Sequence, residues 1–211
     1  MALGFLKTRK TRREEVARQP HPPGTAEAAA PARPALVILA HPAIQRSRAN
    51  ATLLEVASRR PDVTVHDLYR KYPDFLIDVP AEQKKLLAHQ LIVLQYPIYW
   101  YSCPALLKEW FDAVLQHGFA FGRTGTQLRG KTLMVAVTAG GDHHAYRPEG
   151  MNRFSMADFL RPMEATAHLC GLEWAQPFVL HDAIRISEDD RKLAADAYDA
   201  HLEDAIAQVS R

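Results

Sequence analysis

Two kinds of apolar pattern alternate along the chain. Residues 35–40 are a continuous apolar run of strand length, and similar segments recur at 63–66, 91–95, Thr132–Thr138 and, more weakly, Phe178–Leu180. Unbroken apolarity of that length marks strands buried on both faces of a sheet. Between the runs, apolar positions recur three and four apart, as on one face of a helix. Residues 50–59 form one such stretch. Residues 104–115 form the clearest, with Leu106, Leu107, Trp110, Phe111, Val114 and Leu115 on one stripe and a proline at the first position. Residues 162–170 predict a helix closed by Gly171. Ser187 opens a last helix, with Asp189 and Asp190 in its first turn and Leu193, Ala197, Leu202, Ile206 and Val209 along one face. Five strands alternating with helices predict an α/β fold: a doubly wound, five-stranded parallel sheet with helices on both faces.

Residues 1–34 break this pattern. They hold five of the 14 prolines and a run of alanines, with no apolar periodicity after Leu6. Seven bases against three acids give them a charge of +4, which leaves the rest of the chain at −2 out of a total of +2. They read as a disordered, basic, Pro/Ala-rich leader ahead of one domain at 35–211. A slightly acidic body lacks the footprint of a nucleic-acid binder, which must neutralise several phosphates at once. No stretch approaches 18 apolar residues, and the apolar N-terminal segment is too short for a signal-peptide core, so the chain is expected in the cytoplasm. The leader, with Phe5 and Leu6, is a candidate peripheral anchor at the inner face of the membrane. Cys103 and Cys170 alone exclude a four-cysteine zinc or iron–sulfur site and suit a reducing compartment.

In a doubly wound sheet, ligands bind beyond the carboxyl ends of the strands, where the strand order reverses. Three loops emerge there. The first runs from His41 through Ser47, Arg48 and Ala49 to Asn50, directly into a helix, and unpartnered N–H groups at a helix start can hold a phosphate. The alternative is that Ser47 merely caps the helix and Arg48 is solvated. The second carries Tyr96, Pro97, Ile98, Tyr99, Trp100 and Tyr101. Core packing can claim Trp100 and Tyr96, but four aromatics within six positions offer a wall for a flat ligand. The third is Thr138, Ala139, Gly140 and Gly141, whose glycines let backbone approach a ligand closely or simply make a turn. Valine at Gly140 is expected to push a side chain into the space of such a ligand. Neither G-x-G-x-x-G nor a P-loop occurs, which removes the main support for a dehydrogenase-type dinucleotide fold and for a kinase or GTPase. A phosphate cradle, an aromatic wall and a glycine shelf together suit flavin mononucleotide (FMN) better than FAD, with the protein supplying position and electrostatics.

At these loops the sequence resembles the flavodoxin-like NAD(P)H:quinone oxidoreductases, most nearly the bacterial ancillary oxidoreductases of glutathione-regulated potassium-efflux systems. The resemblance is carried by Ala40-His41-Pro42 with Ser47-Arg48-Ala49-Asn50, by Tyr72-Pro73-Asp74-Phe75, by Pro97 to Pro104 with Leu107-Lys108-Glu109-Trp110-Phe111-Asp112, and by Thr138-Ala139-Gly140-Gly141. It implies an FMN-binding homodimer that takes a hydride from NADH or NADPH and passes it to a quinone-like acceptor. It also implies a possible partner, a potassium-efflux antiporter, for which flavin or nicotinamide occupancy would be the signal. His41 and Ser47 to Asn50 then correspond to phosphate and ribityl contacts, Pro97 to Tyr101 to the flavin-ring strip, and Thr138 to Gly141 to ring-edge hydrogen bonds.

Tyr146 falls where family members keep a tyrosine for proton work at the substrate. Two departures stand out. Ala139 occupies a position where a hydroxyl residue is common, and its backbone N–H is expected to serve instead. Asn152 replaces a histidine that accompanies the tyrosine in some members, leaving His143 or His144 as the substitute. A metal is not expected at Asp142-His143-His144, because adjacent loop histidines should diverge. Cys103, at a helix start in an apolar setting, is expected to be inert.

Overall fold

The computed structural model describes residues 34–210, so all of the expected leader except Pro34 lies outside the described residues. Ala35–Leu39 (β1) is fully buried along its whole length. Leu36 and Ile38 face one layer of core while Ala35 and Val37 face the other, as period-two alternation requires of a strand covered on both sides. Arg48–Arg59 (α1), Val63–Asp67 (β2), Leu68–Lys71 (α2), Val79–Ala88 (α3), Leu91–Pro97 (β3) and Ala105–Val114 (α4) follow. Thr132–Thr138 (β4), Met156–Leu169 (α5), Glu173–Trp174 (β5), Phe178–Leu180 (β6) and Glu188–Val209 (α6) complete the order. All strand pairs are parallel, in the order β2-β1-β3-β4-β5, with β6 also paired to β4. Helices α2 to α5 cover one face, through Leu68, Leu86, Trp110 and Leu160, and α1 and α6 cover the other, through Leu53, Tyr198 and Leu202.

Register positions the site. Leu39 pairs with Gln95 and Pro97 with Thr138, so the chain leaves β1, β3 and β4 side by side at one rim. The reversal of strand order falls between β1 and β3, where a crevice is expected.

Three elements differ from expectation. Helix α5 starts at Met156 rather than at 162, because Ser155 and Asp158 form a reciprocal capping box that outweighs the interior Pro162. Ser155→Ala should therefore lower stability by about 1 kcal/mol in urea unfolding, whereas no change would return the helix start to Pro162. The fifth strand is split into β5 and β6, with Pro177 between them, and each half pairs with β4. Helix α3 escaped the periodicity because its buried positions are Glu82 and Leu86, a carboxylate where an apolar residue would signal a core face.

Glu82 is 1% exposed and fully engaged. Its Oε1 accepts from the Tyr72 hydroxyl at 2.7 Å and from Lys85 Nζ at 2.8 Å, and lies 2.9 Å from His66 Nε2. Its Oε2 accepts from Trp110 Nε1 at 2.9 Å. One carboxylate thus ties α3 to β2, to the end of α2 and to α4.

Candidate functional site at the carboxyl rim

The first loop makes a short 3-10 turn at Ile44–Arg46 and enters α1 at Ser47. Ser47 Oγ accepts from the Asn50 N–H at 3.2 Å, so the capping role weighed against ligand binding is present. Among the described residues, the N–H groups of Arg48 and Ala49 have no acceptor. They sit at the positive end of a twelve-residue helix, as an anion site requires. His41 is buried, and its Nδ1 accepts the Ala43 N–H at 3.0 Å, which puts the ring proton on Nε2. Burial holds the imidazole below its ordinary pKa against the opposing charge of Asp67, so it stays neutral at physiological pH.

In the second loop, Tyr99 and Ser102 exchange backbone hydrogen bonds of 3.1 and 2.9 Å. That tight turn drives Trp100 and Tyr101 into the left-handed region, at φ 49° and 61°, a conformation that costs bulky residues about 1–3 kcal/mol each. Its outcome is exposure: Trp100 is 94% exposed and Tyr101 50%, while Tyr96 is 1% exposed. Core packing therefore claims Tyr96 but not Trp100, which stands in solvent.

The third loop is anchored to the segment after β6. The Ala139 N–H donates to Leu180 O, the Ala183 N–H to Ala139 O and the Asp182 N–H to Gly141 O, each at 2.9 Å. The Ala139 amide is thereby withdrawn from ligand binding, which corrects the role expected for it. Gly140 N–H and Gly141 N–H have no backbone acceptor among the described residues. A Cβ on Gly140 would meet Ile184 Cδ1 at 2.9 Å, so valine there would strike Ile184 first rather than enter a ligand's space.

The three loops meet. Asn50 Nδ2 donates to Thr138 Oγ1 at 2.7 Å, and the Ile98 N–H donates to Thr138 O at 2.8 Å. The His41 and Tyr99 rings lie edge to face with centroids 6.3 Å apart. Asn50 is 1% exposed, and its side chain serves as this internal tie, leaving the backbone of the same loop to face a ligand. Pro97 and Ala49 are likewise buried scaffold.

Tyr146 lies beside this rim, and its ring edge would be 3.4 Å from a Cβ on Gly141. Burial raises its phenol pKa, opposed by the Gly141 backbone. Asn152 Oδ1 accepts from the Tyr101 hydroxyl at 3.3 Å, and Phe159 stacks on Tyr101 at 5.0 Å and meets Tyr146 edge-on at 6.0 Å. His143 is exposed, and its Nε2 is 2.8 Å from an Arg147 guanidinium nitrogen. The His143 and His144 rings lie 3.9 Å apart instead of diverging. Burial pushes the Cys103 thiol up, in keeping with the inert character expected of it.

Sequence reasoning missed His181, which packs against Tyr146 with ring centroids 5.3 Å apart. A signal existed: it directly follows Leu180, the carboxyl end of a strand, where ligand contacts concentrate. Cavities of about 340 and 330 Å³ lie elsewhere, one beside Met156, Leu160 and Trp174, the other between α4 and α5 beside Cys103 and Cys170.

The model of a family with the flavodoxin-like fold matches residues 34–202. The glutathione-regulated potassium-efflux system ancillary protein KefG of Cronobacter sakazakii is 48% identical over 171 residues, covering 81% of this chain and 93% of that protein. Among solved structures, general stress protein 14 of Treponema denticola, in complex with FMN, is 40% identical with a TM-score of 0.77, covering 81% of this chain and 98% of that one. An NADPH-quinone reductase from P. pentosaceus is 30% identical with a TM-score of 0.72, covering 79% and 96%. The chain belongs to this flavodoxin-like family, alongside the ancillary proteins of glutathione-regulated potassium efflux.

Proposed function

We propose that this chain is an FMN-dependent NAD(P)H:quinone oxidoreductase. The observation that carries the proposal is the junction of three loops at one rim, where helix-start amides, glycine amides and solvent-facing aromatics come from β1, β3 and β4. The donor set fits FMN: an anion-binding helix start for its one phosphate, apolar rings for its isoalloxazine and N–H groups for the ring's polar edge. When bound, FMN supplies hydride transfer from NADH or NADPH to the acceptor.

The chain's own residues do the rest. The Arg48 and Ala49 amides and the Ser47 hydroxyl would hold the phosphate, with neutral His41 offering its Nε2–H nearby. Tyr99, Trp100 and Tyr101 would wall the ring, and the Gly140 and Gly141 amides would meet its polar edge. Tyr146, a neutral phenol, would offer a proton to the acceptor oxygen. Trp100 on the second loop, Ile184 beside Gly140, and Phe154 are more than half exposed, apolar surface that a second copy of the chain would cover.

A second role is supported by the relatives named as ancillary potassium-efflux proteins and by Asn152, an amide held by Tyr101 where a proton-bearing histidine is expected. In that role the chain is also a regulatory subunit of a membrane antiporter. Among the described residues, no helix is long and apolar enough to cross a membrane. The test is steady-state oxidation of NADPH and NADH by the FMN-loaded dimer with a benzoquinone. Turnover with either nicotinamide supports the proposal; a flavin-loaded protein that oxidises neither overturns it and leaves the regulatory role, for which an antiporter must co-purify with a turnover-dead variant.

A further inference from the structure

We propose that His181 is the positioning residue that shares a proton with Tyr146 during quinone reduction, in place of the residue now occupied by Asn152. The inference rests on the quinone-reductase assignment above. Its first support is stoichiometric. Hydride transfer moves two electrons and one hydrogen, so NAD(P)H and a quinone give NAD(P)⁺ and a hydroquinone only if one further proton reaches the second quinone oxygen. That proton must come from solvent through the protein. A half-buried phenol that gave up its proton with no neighbour to replace it would leave a poorly solvated phenolate, which is costly.

The groups around Tyr146 narrow the choice. Asn152 carries no titratable proton, and its Oδ1 is occupied by the Tyr101 hydroxyl at 3.3 Å. His143 is exposed, and its Nε2 is taken up by the Arg147 guanidinium at 2.8 Å. Asp142 is engaged with the Ala145 N–H at 2.9 Å, and Asp182 with Arg185. His144 is exposed and lies against the His143 ring, which leaves His181, with its ring 5.3 Å from Tyr146 and tilted by 48°.

His181 Nδ1 is shielded from solvent and has no hydrogen-bond partner among the described residues. An orphaned buried nitrogen is costly, and this one is held in place, because the three backbone bonds between 139–141 and 180–183 fix its backbone against the glycine shelf. Burial keeps the imidazole below its ordinary pKa, with the Gly141 backbone and Asp142 opposing and His143 adding to the depression. It is therefore a neutral base at pH 7, able to take up a solvent proton and return it to Tyr146.

The test compares the full-length protein with His181→Phe, which keeps ring packing against Tyr146 but removes both nitrogens, and with Tyr146→Phe. In FMN-free protein, carbon-13 NMR of labelled Tyr146 should show its titration moving in His181→Phe, and the His181 titration should move in Tyr146→Phe. In FMN-loaded protein, His181→Phe should retain FMN affinity, lose about 10- to 100-fold in kcat with a benzoquinone, and lose the acidic limb of the wild-type pH profile. Unchanged titration of both residues in the FMN-free variants overturns the proposal, whether or not the wild type turns over. Reciprocal shifts with an inactive wild type would retain the proton coupling and reject the quinone-reductase assignment instead.

Discussion

Glu82→Ala should cost the fold about 3–5 kcal/mol, the penalty for removing one partner of a buried, hydrogen-bonded ionic cluster. The substitution leaves the Tyr72 hydroxyl, Trp110 Nε1, Lys85 Nζ and His66 Nε2 facing an empty space at the junction of α3, α4 and β2. The pH dependence has a definite sign. Burial works to raise the Glu82 pKa, but the close approach of His66 and donation from Lys85 and Tyr72 override it and bring the carboxyl down to about 2, from an ordinary 4.5. The folded pKa is the lower one, so the stabilisation is complete above about pH 4.5 and is lost as pH falls from there towards 2. Urea unfolding at pH 7 and pH 3 reads both effects. A loss under about 1 kcal/mol at pH 7, or a wild type and variant that lose stability in parallel on acidification, would mean that the cluster is slack.

Arg48→Pro should weaken FMN binding roughly 10- to 150-fold relative to Arg48→Ala, which is about 1.5–3 kcal/mol for one hydrogen bond to a charged phosphate. Both variants remove the guanidinium, but only proline removes the amide. Proline is tolerated here because Arg48 is the first helical residue, its N–H has no acceptor among the described residues, and Ser47 before it is extended, at φ −107° and ψ 103°. Stability should therefore stay close to that of the alanine variant. Equal FMN affinity in the two would remove the α1 start from the phosphate site.

Much of this architecture is legible in the residues themselves. The strands from Ala35, Leu91 and Thr132 are unbroken apolar runs because each is buried on two faces, and α4 shows its stripe because every inward position is apolar. Where a polar residue occupies a core position, the pattern fails: Glu82 hid α3, just as Ser155 and Asp158 started α5 ahead of a misleading proline. The site was legible as loops but not as contacts. That Asn50 and the Ala139 amide are internal ties, and that Trp100 projects outward, depends on a backbone turned through positive φ and on partners 88 and 41 residues away in sequence. His181 carries no motif, and only the pairing of β6 with β4 brings it to Tyr146.

The most direct test of the three-loop site is titration of the purified, flavin-stripped chain with FMN, followed by quenching of flavin fluorescence and by the visible absorption of the bound flavin. One FMN per chain is expected, bound in competition with inorganic phosphate and lost together with the Arg48 amide. A folded protein that takes up no FMN, or takes it up with the same affinity after the rim aromatics Tyr99, Trp100 and Tyr101 are replaced by alanine, would contradict the account.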